Sequence, residues 1–290
     1  MWQTLAILSA LFSALAAIFE KKALFKIEPL GFSFVLSAFT LVLTLPFLYF
    51  VDFNTIRLDA IAVLYLKSIL GAAAFLLVMY GIKKNELSNS LPLLVLTPGV
   101  VAVAAFFLLS EEIGLYGILG MVLLLSGTYF LQLEKGGNWL SPFLFVKRNK
   151  AQWYIIGAIL LFSTTSILDK TILKNYKLQP EAFLTIQQLF FTFNFLLVFL
   201  FRKSDRQTLK SQFKQTWKII FAVAIFAVIY RYSHILAIKS GSVAMVLSIK
   251  RTSVFFAAVF GGSYFKEHNL LRRSVAAVIM VAGAIVVILL

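Results

Sequence analysis

Four basic residues lie within long apolar stretches of the chain, and they are Lys67, Arg231, Lys250 and Arg251. A lysine or arginine at the centre of a membrane helix costs roughly 2.5–3.5 kcal/mol on insertion scales, so each needs compensation. Lys67 lies about two turns from the end of its stretch, and we favour an ammonium that reaches the membrane interface. The other three lie nearer to mid-stretch and need a partner or a ligand.

Carboxylates do not supply that partner at the same depth. All twelve acidic residues fall in predicted loops or near predicted helix ends, and Asp169 is the deepest of them. The cations could therefore pair with backbone carbonyls and water, or they could line a wet cavity that receives an anion. We favour the cavity, because a guanidinium beside an ammonium suits phosphate or carboxylate.

Polar neighbours of these cations extend the candidate site. Tyr230 and His234 stand at i and i+4 around Arg231, and Gln187 and Asn194 share a face of their predicted helix because they are seven residues apart. His234 is equally compatible with a hydrogen-bonded interior imidazole and with a ligand or proton role. The candidate substrate-binding residues are Lys250, Arg251, Arg231, His234, Tyr230, Lys67, Gln187 and Asn194.

A polar stripe and three prolines accompany these residues. Ser33, Ser37, Thr40 and Thr44 follow a helical spacing, and for this stripe alone close helix packing is the favoured interpretation. The polar faces of helix 2 and helix 7 stand at corresponding positions in the two halves, and together they favour a lined pathway. Three prolines are expected to interrupt their helices, namely Pro46, Pro92 and Pro98.

The elements that must position these residues are membrane helices. The 290 residues are 61% hydrophobic, and ten stretches approach the roughly 20 apolar residues that span a bilayer. These stretches are residues 2–19, 29–51, 60–82, 88–109, 113–133, 152–173, 182–201, 217–238, 242–265 and 272–290. The sequence thus predicts an all-α polytopic membrane protein with ten transmembrane helices, and the absence of cysteine excludes disulfides and thiolate chemistry.

The two halves of the chain resemble each other. Residues 17–24, AIFEKKAL, align with residues 166–173, SILDKTIL, which places Glu20 opposite Asp169 and Lys21 opposite Lys170. Residues 81–83 likewise lie opposite residues 237–239. We predict a five-helix repeat in residues 1–135, a second in residues 151–290 and a connecting loop in residues 136–150. Because each repeat has an odd number of helices, the second must be inverted, as in many transporters.

The basic residues predict the orientation and the membrane. Eighteen Lys and Arg residues fall in odd-numbered loops and five in even-numbered loops, which places odd loops in the cytoplasm and both termini outside a cell (inner) membrane. The net charge of +15 belongs to these loops, and no nucleic-acid-binding motif accompanies it. Nucleic acid is therefore not an expected partner.

Signatures of enzymes and of metal sites are missing from the sequence. It contains no GxSxG, HExxH or P-loop motif and no Asp-rich motif of a prenyl-group transferase. Two histidines without cysteine make a metal site unexpected, and we predict no cofactor. We expect neither enzymatic activity nor direct ATP drive.

Residues 235–289 resemble the end of the EamA-type repeat of the drug/metabolite transporter superfamily. The resemblance rests on small residues after helix 8, Glu267 after helix 9 and Gly283 in the last helix. Helices 3 to 5 look like the same repeat, with Pro98, Glu111 or Glu112, and Gly127. It implies a ten-helix, two-repeat transporter that works by alternating access. Such members commonly have cytoplasmic termini, whereas we follow the charge count for this sequence.

A finer match concerns the phosphate-binding segment of plastid sugar-phosphate/phosphate translocators. Residues 248–251, Ser-Ile-Lys-Arg, look like the helix-9 segment whose Lys-Arg pair binds phosphate in that branch, which implies this role for Lys250 and Arg251. Leu94 and Val95 stand at the equivalent positions of the first half, so the complete site is not reproduced. Lys67 or Arg231 could substitute. Small multidrug members instead use a glutamate embedded in helix 1, and this helix has none before Glu20 at its end.

The favoured function is a secondary transporter, carrier or exchanger, of a small anionic metabolite, including phosphorylated ones. The alternative is a flippase of an anionic lipid or lipid-linked phosphate. An exporter of amino acids or drugs and an integral membrane enzyme are less favoured. The expected partners are a small-molecule or lipid-headgroup anion and the lipid bilayer.

Overall fold

A computed structural model describes residues 1–84, 94, 97–110, 114–132 and 150–264, with seven residues between 275 and 286. The described residues form nine α-helices and no strand. The helices are α1 (Trp2–Leu24), α2 (Pro29–Thr44), α3 (Leu58–Lys84), α4 (Thr97–Leu109), α5 (Leu115–Gln132), α6 (Lys150–Lys174), α7 (Pro180–Phe201), α8 (Lys203–Ser240) and α9 (Val243–Tyr264). Pro92, Val95, Glu111, Glu112, Glu267 and most of the predicted connecting loop lie outside the described residues.

Six of the described helical segments are long and apolar enough to cross a membrane. The 23 residues of α1, for example, extend about 35 Å, against roughly 30 Å for a bilayer's hydrocarbon core. In the tenth predicted stretch the described residues are helical, and Gly283 lies against α5. A Cβ at Gly283 would be 2.8 Å from the carbonyl oxygen of Gly120, so the backbones approach closely. The part of the chain that the structure describes is all-helical, and the chain is a multi-pass membrane protein.

Two helix boundaries differ from the prediction. Helix α1 continues beyond residue 19 to Leu24, and α8 is a single helix of 38 residues that includes most of the predicted loop 202–215. That segment is polar but contains no glycine or proline, so nothing in it ends a helix. Its Gln212 Oε1 accepts a hydrogen bond from the backbone N–H of Glu28 at 3.2 Å, which fixes the extension to the start of α2.

Two prolines in the described residues have different effects. Helix α2 ends at Thr44 and a 3₁₀ helix follows over Leu45–Phe50, because Pro46 has no N–H to continue the α-helical ladder. The predicted interruption is confirmed there. Pro98 is the second residue of α4, where its missing N–H has no helical partner to lose. Residues 85–93, 95 and 96 lie outside the described residues, so the predicted interruption of the stretch 88–109 at Pro98 stays a prediction.

Helices from the two halves of the sequence pack against each other. Helix α1 packs on α8 and α9, α3 packs on α6, and α2 packs on α7 and α8. The hydroxyls of the α2 stripe donate to carbonyls of their own helix, and all four side chains are buried between helices. The stripe therefore packs between helices, and three of its members, Ser33, Ser37 and Thr40, also line a small space beside Arg231. The arrangement leaves a cavity where α1, α3, α6, α7, α8 and α9 meet.

Candidate anion-binding cavity

The cavity between the helices measures about 180 Å³, room for several water molecules or one small solute. Seven of the eight candidate residues line it, and they are Lys67, Gln187, Tyr230, Arg231, His234, Lys250 and Arg251. The first half contributes walls from α1 and α3, and the second half contributes walls from α6 to α9. Residues far apart in sequence thus surround one polar space.

Lys67 is held inside the protein and does not reach the membrane interface. Only 5% of Lys67 is exposed, and its Nζ lies 2.7 Å from Oδ1 of Asp169 on α6. The same ammonium donates a hydrogen bond of 2.6 Å to Oε1 of Gln187 on α7. It also lies 4.8 Å from the ring centroid of Phe183. The favoured interpretation of Lys67 was wrong, because α3 packs against α6 and brings a carboxylate to it.

Two carboxylates share the cavity with the cations, which corrects the expectation that none lies at their depth. Asp169 faces Lys67, and Glu20 of α1 is 94% buried and lines the same cavity. The predicted first stretch ended at residue 19, but α1 continues to Leu24. Glu20 therefore lies within the helix and not in a loop after it. Four basic side chains, Lys67, Arg231, Lys250 and Arg251, therefore face two acidic ones.

Aromatic rings position two of the cations. The guanidinium of Arg231 lies 5.0 Å from the ring centroid of Phe191 and 6.0 Å from that of Tyr230. The ammonium of Lys250 lies 5.3 Å from the Tyr230 ring. Tyr230 therefore lies beside both cations, and its ring face attracts positive charge. Lys250 Nζ makes no hydrogen bond to any described residue.

Polar atoms without a partner face the site on α8 and α9. Arg251 donates from Nη2 to Oγ1 of Thr97 at 3.0 Å, but its buried Nε has no partner among the described residues. The buried Nδ1 of His234 has none there either. Buried polar groups are usually hydrogen-bonded, so these atoms indicate a site for water or a ligand. Leu94 lines the cavity where the second half has Lys250.

Asn194 does not line the cavity, although it shares a face of α7 with Gln187. Seven helical residues span about 10.5 Å, and the cavity does not extend that far along α7. The neighbouring Gln188 points to α2, where its Nε2 donates to Oγ1 of Thr40. Gln188 and Thr40 border a second space of about 20 Å³, which Arg231 also lines. This space is large enough for about one water molecule.

The comparison with known families decides the class of protein. The sequence matches the EamA-like transporter family over residues 1–133 and again over residues 149–289. The chain belongs to the EamA-like transporter family. The predicted resemblance is confirmed. No curated protein sequence matches the chain.

The fold of this EamA-like transporter also occurs in solved structures. One of them, described only as "Crystal structure of protein", superposes with a TM-score of 0.71 at 15% sequence identity. The superposition covers 99% of this chain and 95% of the other. At that identity the likeness concerns the fold alone.

Sequence analysis missed Glu20 and Asp169 as parts of the cavity of this EamA-like transporter. Their alignment between the halves was already visible, since both precede an aligned lysine, Lys21 or Lys170. The signal was present, but predicted helix ends near both residues suggested that water would reach them. Only the packing of α1 and α6 against helices of the other half buries these carboxylates.

Proposed function

We propose that this EamA-like transporter is a secondary carrier of a small anionic metabolite, with phosphorylated metabolites as the favoured class. The main support is that Lys250 and Arg251 both line the cavity. Neither the Nζ of Lys250 nor the Nε of Arg251 has a hydrogen-bond partner among the described residues. A phosphate or carboxylate would provide acceptors for both, and Arg231 lies on the same cavity. Transport, with no chemical change to the solute, is the activity that follows.

The volume of the cavity favours a small solute over a lipid. Sites for drug-sized ligands usually enclose about 300–1,000 Å³, whereas this cavity measures about 180 Å³. That size also disfavours a bulky drug as the substrate. The alternative of a flippase for an anionic lipid or lipid-linked phosphate rests on the same cations, which would have to accept a headgroup from the side of the bundle.

The proposed architecture has ten transmembrane helices in two inverted repeats, residues 1–135 and 151–290. Aligned residues of the two halves make the same contact, which supports this proposal. Lys21 Nζ donates to the carbonyl oxygen of Ile82 at 2.5 Å, and Lys170 Nζ donates to that of Ile238 at 2.8 Å. In each half a lysine of the first helix thus binds the last turn of the third. If the two inverted repeats exchanged their conformations, the cavity would open first to one side of the membrane and then to the other.

The proposed membrane is the cell (inner) membrane, with both termini outside. The supporting observation is the excess of lysine and arginine in the odd-numbered connections. The polar first part of α8 carries several of these residues, including exposed Lys210 and Lys214. A cysteine introduced at either terminus of this cysteine-free chain should react with an impermeant thiol reagent added outside. Reaction only after permeabilisation would reverse the orientation.

Binding of inorganic phosphate and sulfate to the purified protein tests the anion site. We expect the double change Lys250→Ala with Arg251→Ala to weaken binding by at least about 100-fold, since each charged hydrogen bond is worth about 1.5–3 kcal/mol. The matched control is Lys210→Ala with Lys214→Ala, which removes two exposed cations from α8 and should leave affinity unchanged. Equal affinity of the folded double variant and the native protein would exclude this site.

Exchange in proteoliposomes separates a carrier from a flippase. A soluble phosphorylated solute inside the vesicles should accelerate uptake of labelled phosphate if the protein is a carrier. A flippase would instead move a fluorescent anionic lipid between leaflets and would not respond to the internal solute. Chemically altered solute in the vesicles would indicate an enzyme.

A further inference from the structure

Glu20 is a buried carboxylate for which anion binding alone gives no role. Its residue surface is 6% exposed, it lines the cavity, and it lies one turn before the end of α1. It makes no hydrogen bond or ion pair with a described residue. The charge that acts on it most directly is that of Arg231 on α8, and Tyr230 interacts with both. A buried charge is costly without a partner, so the ionised form of Glu20 depends on Arg231.

Asp169, which aligns with Glu20 in the second half, differs from Glu20 because it has a close basic partner. Asp169 has Lys67 at 2.7 Å, and Lys67 is also bound by Gln187. Asp169 therefore has a basic partner whether or not a ligand is bound. Arg231, by contrast, has Glu20 and the transported anion as two possible negative partners in one cavity of about 180 Å³. An ionised Glu20 therefore repels the anion and competes with it for Arg231.

We propose that Glu20 takes up one proton when the anion binds, so that this transporter moves a proton together with each anion. The inference rests on the proposed anion site. In the empty carrier the Glu20 carboxylate offsets the positive charge of Arg231 across the cavity, without a direct ion pair. In the loaded carrier Glu20 is a neutral carboxylic acid and Arg231 neutralises the anion. The proton enters with the anion and leaves with it, and the two binding events strengthen each other by the same factor.

Other titratable and charged groups also line the cavity. They are Tyr230 and His234 on α8, Lys67 on α3, Asp169 on α6, and Lys250 and Arg251 on α9. Loss of positive charge from a basic group of the cavity at high pH would weaken anion binding, as ionisation of Glu20 would. The slope of affinity against pH therefore does not identify the group. Removal of the Glu20 charge does, because loss of a basic group weakens anion binding whereas loss of this carboxylate strengthens it.

Sulfate is the probe, because its charge is constant near neutral pH. Calorimetry in two buffers with different ionisation enthalpies measures the protons taken up per sulfate bound by the purified protein. We expect about one proton per sulfate, and an affinity that falls about tenfold per pH unit above the pH at which Glu20 ionises. Glu20→Gln should abolish the uptake and bind sulfate more tightly than the native protein at high pH. Glu28→Gln, a half-exposed carboxylate paired with Lys83, is the matched control and should behave as the native protein.

Three results would overturn the proposal in distinguishable ways. Equal proton uptake in Glu20→Gln and the native protein would refute the role of Glu20. Loss of uptake in His234→Gln, with Glu20→Gln unaffected, would assign the proton to His234. No sulfate binding by either form would refute the anion site and the coupling together. If Glu20→Gln does not fold, Glu20→Asp replaces it. Its shorter carboxylate should retain proton uptake but bind sulfate more tightly at high pH, and unchanged binding would refute the competition.

Discussion

Separating Lys67 from Asp169 should destabilise the helix bundle by several kcal/mol. The two side chains join α3 to α6 at 2.7 Å and are 6% and 13% exposed. At that distance the attraction is about 6 kcal/mol for an effective dielectric constant of about 20. Most of it offsets the cost of removing both charges from water. A single charge left behind keeps that cost without the attraction.

The expected changes in the free energy of unfolding follow from the cost of leaving one buried charge without its partner. Asp169→Leu and Lys67→Met should each lower the free energy of unfolding by about 3 kcal/mol, at the low end for buried pairs. Gln187 moderates the loss in Asp169→Leu, because its Oε1 still accepts from Lys67 at 2.6 Å. The double variant leaves no unpaired charge, so it should lose no more than either single variant. The coupling energy is then about 3 kcal/mol.

Unfolding by sodium dodecyl sulfate in mixed micelles, followed by circular dichroism, measures these energies. The matched control is the exposed pair of Arg57 and Asp59, whose side chains are 64% and 47% exposed. The same cycle of substitutions there should show no measurable coupling, because water screens the pair. If the losses at Lys67 and Asp169 simply add, the two residues do not form the buried pair described above.

Two further predictions concern the backbone contacts and the cavity wall. Lys21→Met and Lys170→Met should each lower the free energy of unfolding by about 2 kcal/mol, since each removes a charged donor from buried carbonyls. Gly71→Ala should weaken sulfate binding about fivefold, or about 1 kcal/mol. A Cβ there would lie 2.9 Å from Cζ of Phe191, whose ring supports Arg231 at 5.0 Å.

Controls for these substitutions come from the same helices. Lys174→Met removes an exposed lysine at the end of α6 and should leave the unfolding transition unchanged. Gly157→Ala adds a methyl group on α6 outside the cavity, 3.2 Å from Leu77, and should not affect sulfate affinity. Wild-type stability of Lys170→Met, or wild-type affinity of Gly71→Ala, would contradict the corresponding argument.

Helix boundaries were the least predictable part of the fold. The hydrophobic stretches identified the membrane helices, because apolar length is a local property. Polar composition wrongly suggested a loop at residues 202–215, although α8 continues through it and Gln212 binds the start of α2. Absence of glycine and proline was the better indicator there. Polar residues do not end a helix when water can solvate its surface.

The candidate site was predictable for its cations and not for their partners. Arg231, Lys250 and Arg251 stood out because charge is expensive within an apolar helix. Lys67 was assigned to the interface and Asn194 to the site, and the structure differs for both residues. Spacing shows which residues share a face of one helix, but it does not show how far along that face a cavity extends.

The sequence by itself determined a multi-pass helical membrane protein, its EamA-type resemblance, and a group of cations that require compensation. Those are consequences of composition and local periodicity. Only the tertiary structure decided that Asp169 neutralises Lys67 and that Glu20 lies in the cavity with Arg231. These contacts join helices more than 100 residues apart in the chain, so they depend on how α1 and α6 pack against the other half. Because that packing places the carboxylate of Glu20 in the same cavity as Arg231, Glu20 is the residue proposed to take up the coupled proton.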